Sequence, residues 1–251
     1  MARFAANLTY LFTELPMFQR FAAARRAGFD GVEILFPYDL AAKDLARAAQ
    51  GSDMHIVLMN MPPPNWAGGP RGFAAEPGNE MRFRKDFDRA LLYAQALKVR
   101  HLHVMAGRAE GPEARDTYIR NLRWAAERAP GVSLTIEPMN AVDMPGYYLN
   151  CFDLASEIID EVDATNLGLQ FDAYQAHMIH GDVIETWHRH ARNVRHIQIA
   201  GCPGRHEPRA GEIDYAGFFR AVDAAGFSGW VGAEYTPRTS TEAGLRWLRS
   251  A

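Results

Sequence analysis

Cysteine is scarce in this sequence, with Cys151 and Cys202 the two cysteines among 251 residues. Two cysteines cannot build a framework of several disulfides, and a chain of this length does not need a single bridge to fold. A reducing compartment and a cytoplasmic location are therefore the expectation. Neither cysteine has a ligand-type spacing to another, so a thiolate-rich zinc site has no support.

Long hydrophobic runs are also lacking. No apolar stretch approaches the ~20 residues of a membrane helix, so no membrane association is expected. The opening residues Met1-Ala2-Arg3-Phe4 carry an early charge and no apolar core, and we expect no signal peptide.

A basic excess is missing as well, because 27 Lys and Arg face 30 Asp and Glu for a formal charge of −3. Neutralisation of phosphates supplies much of the affinity of nucleic-acid binders, so none is expected here. No G-x-G-x-x-G motif follows the first predicted strand and no P-loop is found, which leaves a dinucleotide-binding half without support.

Hydrophobic residues make up 48% and charged residues 23% of the chain, a composition typical of a globular protein with a sizeable core. Short β-rich runs alternate with stretches of helical periodicity from end to end. The predicted strands are 4–8, 32–35, 55–60, 99–105, 133–137, 167–171, 194–199 and 230–234. The predicted helices are 18–27, 40–49, 80–97, 116–128, 152–162, 183–191, 215–225 and 241–248.

Eight strands and eight helices in strict alternation predict a parallel sheet. Eight units in about 250 residues favour a closed (β/α)₈ TIM barrel over an open sheet. We expect one domain over residues 1–251. The long segments 61–78 and 138–150 follow strands and should lie at the face of the barrel where functional loops collect.

Four oxygen-bearing side chains stand at the ends of four successive predicted strands: Glu137, Asp172, Gln198 and Glu234. Their spacings of 35, 26 and 36 residues each match about one βα unit, so all four should converge on one rim. Three converging carboxylates repel one another unless a cation joins them. Oxygen ligands suit a hard divalent ion, and the pattern predicts a Mg²⁺ or Mn²⁺ site.

Each of these residues also has an ordinary structural interpretation. Asp172 alone could cap a turn, and a single Glu after a strand is usually a solvated loop residue. Four in register favour the metal site. His101 is expected to be a core histidine, while His103 could belong to the core or approach the site. His177 and His180 follow Asp172 closely, and a place at the rim of the site stays open for both.

At these residues the chain resembles the hydroxypyruvate isomerase family, within the xylose isomerase-like TIM barrels that also include ketose 3-epimerases. The resemblance covers nearly the whole chain, and the order and spacing of its short motifs make it specific. The motifs are Phe4-Ala5-Ala6-Asn7-Leu8, Gly31-Val32-Glu33, Phe36-Pro37-Tyr38, Asn65-Trp66-Ala67, Arg71-Gly72, Ile136-Glu137-Pro138, Asp143-Met144-Pro145-Gly146, His196-Ile197-Gln198-Ile199-Ala200, Gly211-Glu212-Ile213 and Gly229-Trp230-Val231-Gly232-Ala233-Glu234-Tyr235.

The resemblance implies a role for each matching residue. Glu137, Asp172, Gln198 and Glu234 would bind the metal, and Glu137 and Glu234 would also form the acid/base pair. Arg205 and Glu207 would lie near the substrate, and Asn60 and Asp143 are weaker candidates of the same kind. Trp66 and Arg71 would belong to a loop that closes over the site. Arg205 is the first choice for the substrate carboxylate, because a guanidinium binds carboxylate in a bidentate manner.

Two departures from the family pattern concern the substrate. Gln175 stands where the family usually has a His three residues after the aspartate, and Met59 stands where a His is common. The reaction implied by the resemblance is the interconversion of hydroxypyruvate and tartronate semialdehyde by proton transfer through an enediolate. A longer substrate, as for a 2-oxo-tetronate isomerase or a ketose 3-epimerase, is the alternative.

Two more distant alternatives are a metal-dependent phosphodiesterase of damaged DNA and a non-catalytic barrel that binds a small molecule. The charge of −3 and Gln198 weigh against the phosphodiesterase, which needs more histidine ligands and a basic face. The expected partner is a small keto acid or ketose, and assembly into a homo-oligomer is left open.

Overall fold

The computed structural model describes residues 3–64, 71–209 and 211–249, and its strands form a closed parallel barrel in chain order. The barrel closes where the first strand pairs with the last, with Arg3 opposite Trp230 and Ala6 opposite Ala233. The predicted TIM barrel is thereby confirmed. The strands are β1 (Arg3–Asn7), β2 (Gly31–Glu33), β3 (His55–Asn60), β4 (His101–His103), β5 (Ser133–Ile136), β6 (Leu167–Asp172), β7 (Val194–Ile199) and β8 (Trp230–Ala233).

Helices connect the strands and pack around the outside of the barrel. Several begin at an aspartate whose side chain accepts a backbone N–H of the first turn, as at Asp182 and Asp214, which is the usual N-cap arrangement. The helices are α1 (Met17–Ala27), α2 (Ala42–Gly51), α3 (Glu80–Leu97), α4 (Gly111–Arg128), α5 (Phe152–Val162), α6 (Ala173–His180), α7 (Val183–His190), α8 (Tyr215–Ala224) and α9 (Thr241–Gly244). No helix in the described ranges is long and apolar enough to cross a bilayer.

Helix α6 and strand β4 are two of the elements that differ from the sequence-based prediction; α4 also begins earlier, at Gly111, and α9 ends earlier, at Gly244. Helix α6 was not predicted, because its buried residues are the first four in a row, Ala173 to Ala176, instead of a stripe at helical spacing. Strand β4 is shorter than the predicted 99–105, since the chain beyond it turns toward Gly72 and forms a bridge from Ala106. A Cβ at Gly72 would lie 2.2 Å from the Met105 carbonyl oxygen, so this close approach requires glycine.

Aromatic side chains fill the layer between the barrel and the outer helices. Phe171 on β6 packs against Trp187 on α7 and Phe218 on α8, with ring centroids 5.5 and 5.7 Å away. All three side chains are almost fully buried. This apolar layer leaves the inside of the barrel free for polar side chains, which lead to the rim where the strands end.

Candidate active site

The predicted oxygen-bearing side chains all lie at the carboxyl ends of neighbouring strands. Asp172 ends β6 and is opposite Gln198 of β7, while Glu137 and Glu234 directly follow β5 and β8. All four are buried, none more than 5% exposed. The closed barrel therefore brings together the constellation that was predicted from strand spacing.

Arg205 joins two of these carboxylates. Its Nη2 lies 3.0 Å from Asp172 Oδ2 and 3.4 Å from Glu234 Oε1. Although burial alone would lower the pKa of Arg205, the carboxylates of Glu234 and Asp172 outweigh it and raise that pKa. The guanidinium is thus the permanent positive charge at the centre of the site.

The loop after β7 has an unusual backbone that presents Arg205. Gly204 and Arg205 both have left-handed backbone angles, with φ of 92° and 51°, and the second is uncommon for a residue with a side chain. The Arg205 carbonyl accepts the Thr236 N–H, and its guanidinium lies 5.2 Å from the ring centre of Tyr174 on α6. Contacts with the chain after β8 and with α6 therefore maintain this strained position.

Glu137 is held from below by a buried amide. Gln170 Nε2 donates to Glu137 Oε2 at 2.9 Å and to Gln198 Oε1 at 2.7 Å. The Thr135 hydroxyl group donates to the side-chain oxygen of Gln170, Oε1. In the described part of the chain, the second oxygen of Glu137, Oε1, is buried without a hydrogen-bond partner. Gln170 therefore links two of the predicted ligands and leaves one carboxylate oxygen available.

Glu33 forms the floor under Gln198. Its carboxyl group accepts hydrogen bonds from Asn7 and from Gln198 Nε2 and lies 2.5 Å from His196 Nε2. Burial raises the pKa of Glu33 to about 8 and lowers the pKa of His196 to about 3. Near neutral pH the floor is accordingly a protonated carboxyl group beside a neutral imidazole.

The carboxyl groups at the rim hold their protons tightly for two reasons. Burial has the largest effect and the neighbouring carboxylates of Glu234 and Asp172 the next largest, and together they raise the pKa of Glu137 well above its usual range. The pKa of Asp172 is also raised by burial, with Arg205 opposing the shift. Burial raises the pKa of Glu234 to about 7, again against Arg205. Arg71 adds a second positive charge, which lowers the pKa of Glu137 and of Glu234.

The other predicted residues take different places. Asn60 is buried and contacts His103, whose Nδ1 lies 3.7 Å from Glu137 Oε2, so His103 is beside the site and not only in the core. Asp143 is exposed and accepts a hydrogen bond from Asn140. The Glu207 carboxylate accepts the Arg238 N–H. Trp66 lies outside the described residues.

Gln175, which stands where the resemblance implies a histidine, is fully buried on α6. Its carbonyl oxygen accepts both the backbone and the side-chain N–H of Asn140, at 2.8 and 2.7 Å. Its amide nitrogen lies 3.8 Å from the sulfur of Met139, a weak acceptor. Position 175 thus provides a neutral amide donor that does not titrate.

Several site residues were not singled out from the sequence. Gln170 lies two residues before Asp172 and His196 two residues before Gln198, so each pair shares one face of its strand. That alternation was the available signal. Glu33 belonged to a recognised motif but was assigned no role. Tyr10 carried no signal, and it joins the site through a hydrogen bond with Arg71.

A cleft of about 530 Å³ opens at the opposite end of the barrel, where the strands begin. Arg3, Arg100 and Arg195 line it. In TIM-barrel enzymes the reacting groups lie where the strands end, so we assign this cleft no part in the chemistry.

Comparisons with known proteins agree with the geometry. Residues 21–251 match the family model described as xylose isomerase-like TIM barrel. A 2-oxo-tetronate isomerase from Cupriavidus necator is 46% identical over 99% of this chain and 98% of its own length. The hydroxypyruvate isomerase of Escherichia coli is 38% identical over the same shares. A Brucella melitensis crystal structure named AP endonuclease, family 2 has a TM-score of 0.96 and 43% identity, covering 100% of this chain and 99% of that one.

These matches confirm the resemblance on which the sequence-based roles were assigned. Relatives named hydroxypyruvate isomerase and 2-oxo-tetronate isomerase support a keto-acid isomerase, and the prediction of an isomerase is confirmed. The roles of the individual residues and the metal stay predictions.

Proposed function

The chain belongs to the xylose isomerase-like TIM barrel family, and from that premise we propose that it is a metal-dependent isomerase of short 2-oxo-3-hydroxy acids. Hydroxypyruvate is the proposed substrate and tartronate semialdehyde the product. The observation that carries the proposal is the position of Arg205 between Asp172 and Glu234. Glu137 lies at the same rim, close enough that these two carboxylates raise its pKa in addition to the effect of burial.

The donor set fits a divalent ion. Glu137, Asp172, Gln198 and Glu234 can each offer an oxygen ligand. Burial raises the pKa of the three carboxyl groups even though Arg205 opposes each shift, so a divalent ion would stabilise their ionised forms further. Glu137 Oε1 is buried with no hydrogen-bond partner in the described ranges, and an amide oxygen such as that of Gln198 has a second lone pair. Mg²⁺ or Mn²⁺ held there would act as a Lewis acid toward the substrate oxygens.

Arg205 is the group that we assign to the substrate carboxylate. Its guanidinium presents a planar fork of N–H donors that matches two carboxylate oxygens, and its pKa is raised, so it stays charged at every working pH. Arg205 already contacts two protein carboxylates in this structure. A substrate carboxylate would bind Arg205 through the same kind of contact that Asp172 and Glu234 now make.

Two glutamates then share the proton transfer. One removes a proton from C3 of hydroxypyruvate to give an enediolate, and the other returns a proton to C2. The proton of the C3 hydroxyl group passes to the C2 oxygen in the same conversion, so that the carbonyl group moves from C2 to C3 without net oxidation. A group with a pKa near the working pH transfers protons best in both directions. Burial raises the pKa of both glutamates, that of Glu137 well above its usual range and that of Glu234 to about 7, close to a neutral working pH.

A four-carbon substrate is the second candidate. 2-Oxo-tetronate carries the same carboxylate, carbonyl and hydroxyl groups and adds a hydroxymethyl group on C3. The relative with 46% identity is named for it. Gln175, with its amide nitrogen near only a weak acceptor, offers a donor for an additional hydroxyl group.

DNA cleavage is the rival from another class, because the Brucella protein of similar fold is named an AP endonuclease. The net charge of −3 gives little attraction for phosphates, and a multi-metal phosphodiesterase site needs more histidine ligands, whereas position 198 has a glutamine. We therefore expect no binding of abasic-site duplex DNA at low salt.

The test is to measure kcat/KM for hydroxypyruvate and for 2-oxo-tetronate, with Mn²⁺ and with EDTA. The proposal predicts turnover of at least one acid that EDTA abolishes. A preference for the four-carbon acid would select the second candidate. Turnover that is unaffected by EDTA would refute the metal, and no turnover of either acid would refute the proposed substrate class.

A further inference from the structure

A second group of metal-type ligands lies behind the Arg205 loop. His177 is on α6, and Cys202 and Glu212 lie in the connection between β7 and α8. His177 Nε2 is 3.0 Å from Glu212 Oε2, and Cys202 Sγ is 3.6 Å from the same oxygen. The three ligand atoms all lie within 4.8 Å of one another.

We infer that His177, Cys202 and Glu212 form a second metal site, which binds a zinc-like divalent ion. Bonds of about 2.0 Å to nitrogen and oxygen and about 2.3 Å to sulfur place tetrahedral N and O ligands about 3.3 Å apart and S and O about 3.5 Å apart. The observed 3.0 and 3.6 Å are close to these separations. The third pair, His177 and Cys202, lies within 4.8 Å, and an ion would bring these two ligand atoms to about 3.5 Å from each other.

The ligand types set the kind of ion. Imidazole, thiolate and carboxylate together suit Zn²⁺, whereas the oxygen-only set around Glu137 suits Mg²⁺ or Mn²⁺. Cys202 is buried, while the Glu212 side chain is 57% exposed, so the site is open to solvent on one side. Three protein ligands and a water molecule would complete a tetrahedron.

The position of the site indicates what it does. The Glu212 N–H donates to the Cys202 carbonyl oxygen, so these two residues already hold together the two ends of the loop that carries Arg205 and Glu207. His177 follows Tyr174, which contacts the Arg205 guanidinium, by about one turn of α6. An ion bound to the three ligands would connect both ends of this loop to α6 and thereby stabilise the position of Arg205.

Cobalt absorption tests the site without relying on catalysis. Co²⁺ replaces Zn²⁺ in such sites, and a cobalt–thiolate bond gives a near-ultraviolet charge-transfer band that an oxygen-only site cannot give. Wild type and Cys151→Ser should show the band with the intensity of one thiolate-bound cobalt per chain, whether or not the oxygen-only site also binds cobalt, and Cys202→Ser should lack it. No band in wild type, or a band that persists in Cys202→Ser, would overturn the inference.

Zinc affinity, measured by competition with a chromogenic chelator, provides a test that does not alter the buried cysteine. His177→Ala and Glu212→Gln should each weaken zinc binding at least ~10-fold, and His180→Ala on the same helix should not. Zinc should also raise the unfolding temperature of wild type more than that of Glu212→Gln. Equal affinities in all four proteins would refute the site, whatever the isomerase assays show.

Discussion

Replacing Glu234 with glutamine should stabilise the metal-free protein while destroying its activity. The substitution keeps the shape of the side chain but removes a negative charge that is buried beside Asp172. A buried carboxylate that serves metal binding and catalysis lowers the free energy of unfolding when no cation is bound to it. The predicted stabilisation is therefore a direct consequence of the proposed role.

The magnitude follows from the pKa. The ordinary pKa of a glutamate is 4.5, and burial raises that of Glu234 to about 7 in the folded protein. Between these values the folded chain keeps a proton that the unfolded chain has lost, so the free energy of unfolding falls as the pH rises from about 4.5 to about 7 and levels off above that. At ~1.4 kcal/mol per pH unit, the loss amounts to about 3 kcal/mol, and Glu234→Gln should not suffer it.

Urea denaturation in EDTA at pH 5 and pH 8 measures the difference. The variant and wild type should be nearly equal at pH 5, and the variant should be more stable by about 3 kcal/mol at pH 8. Glu127→Gln, at an exposed position on α4, is the matched control and should show no such pH-dependent gain. Adding Mn²⁺ should stabilise wild type more than the variant, since the ion binds the native state.

A Glu234→Gln variant that is equal to or less stable than wild type at pH 8 in EDTA would contradict this prediction. It would mean that the contact with Arg205, at 3.4 Å, compensates for burial of the charge. A gain of the same size at pH 5 would also contradict it, because Glu234 is protonated in the folded protein there.

Three further predictions concern the site and its floor. Glu137→Gln should lower kcat roughly 10²–10⁴-fold with an unchanged circular dichroism spectrum, and a smaller loss would remove Glu137 from the acid/base pair. Arg205→Lys should lower kcat/KM roughly 10–100-fold, mainly through KM, because lysine cannot form the bidentate contact; an unchanged KM would place the substrate carboxylate elsewhere. Gly232→Ala would put a Cβ 1.9 Å from Glu33 Oε1 and should cost ~1–3 kcal/mol in urea denaturation, whereas Gly51→Ala, with open space around it, should not destabilise the protein.

The repeat of strands and helices was predictable because each βα unit carries its own periodicity, and the converging rim followed from strand spacing. Helix α6 was missed because burial at the barrel end replaced helical amphipathicity. The Arg205 bridge depends on left-handed backbone angles after β7, which the sequence does not encode in a local pattern. The support of Glu137 by Gln170 requires the pairing of β5 with β6, a contact between residues 33 positions apart.

Proton NMR of hydroxypyruvate in D₂O with the purified protein, with Mn²⁺ or Mg²⁺ and in parallel with EDTA, is the decisive test of the proposed reaction. We predict metal-dependent formation of tartronate semialdehyde with solvent deuterium at C2, because the two glutamates exchange their protons with solvent. Product that carries no solvent deuterium, or product formed equally in EDTA, would refute a metal-dependent proton transfer by Glu137 and Glu234.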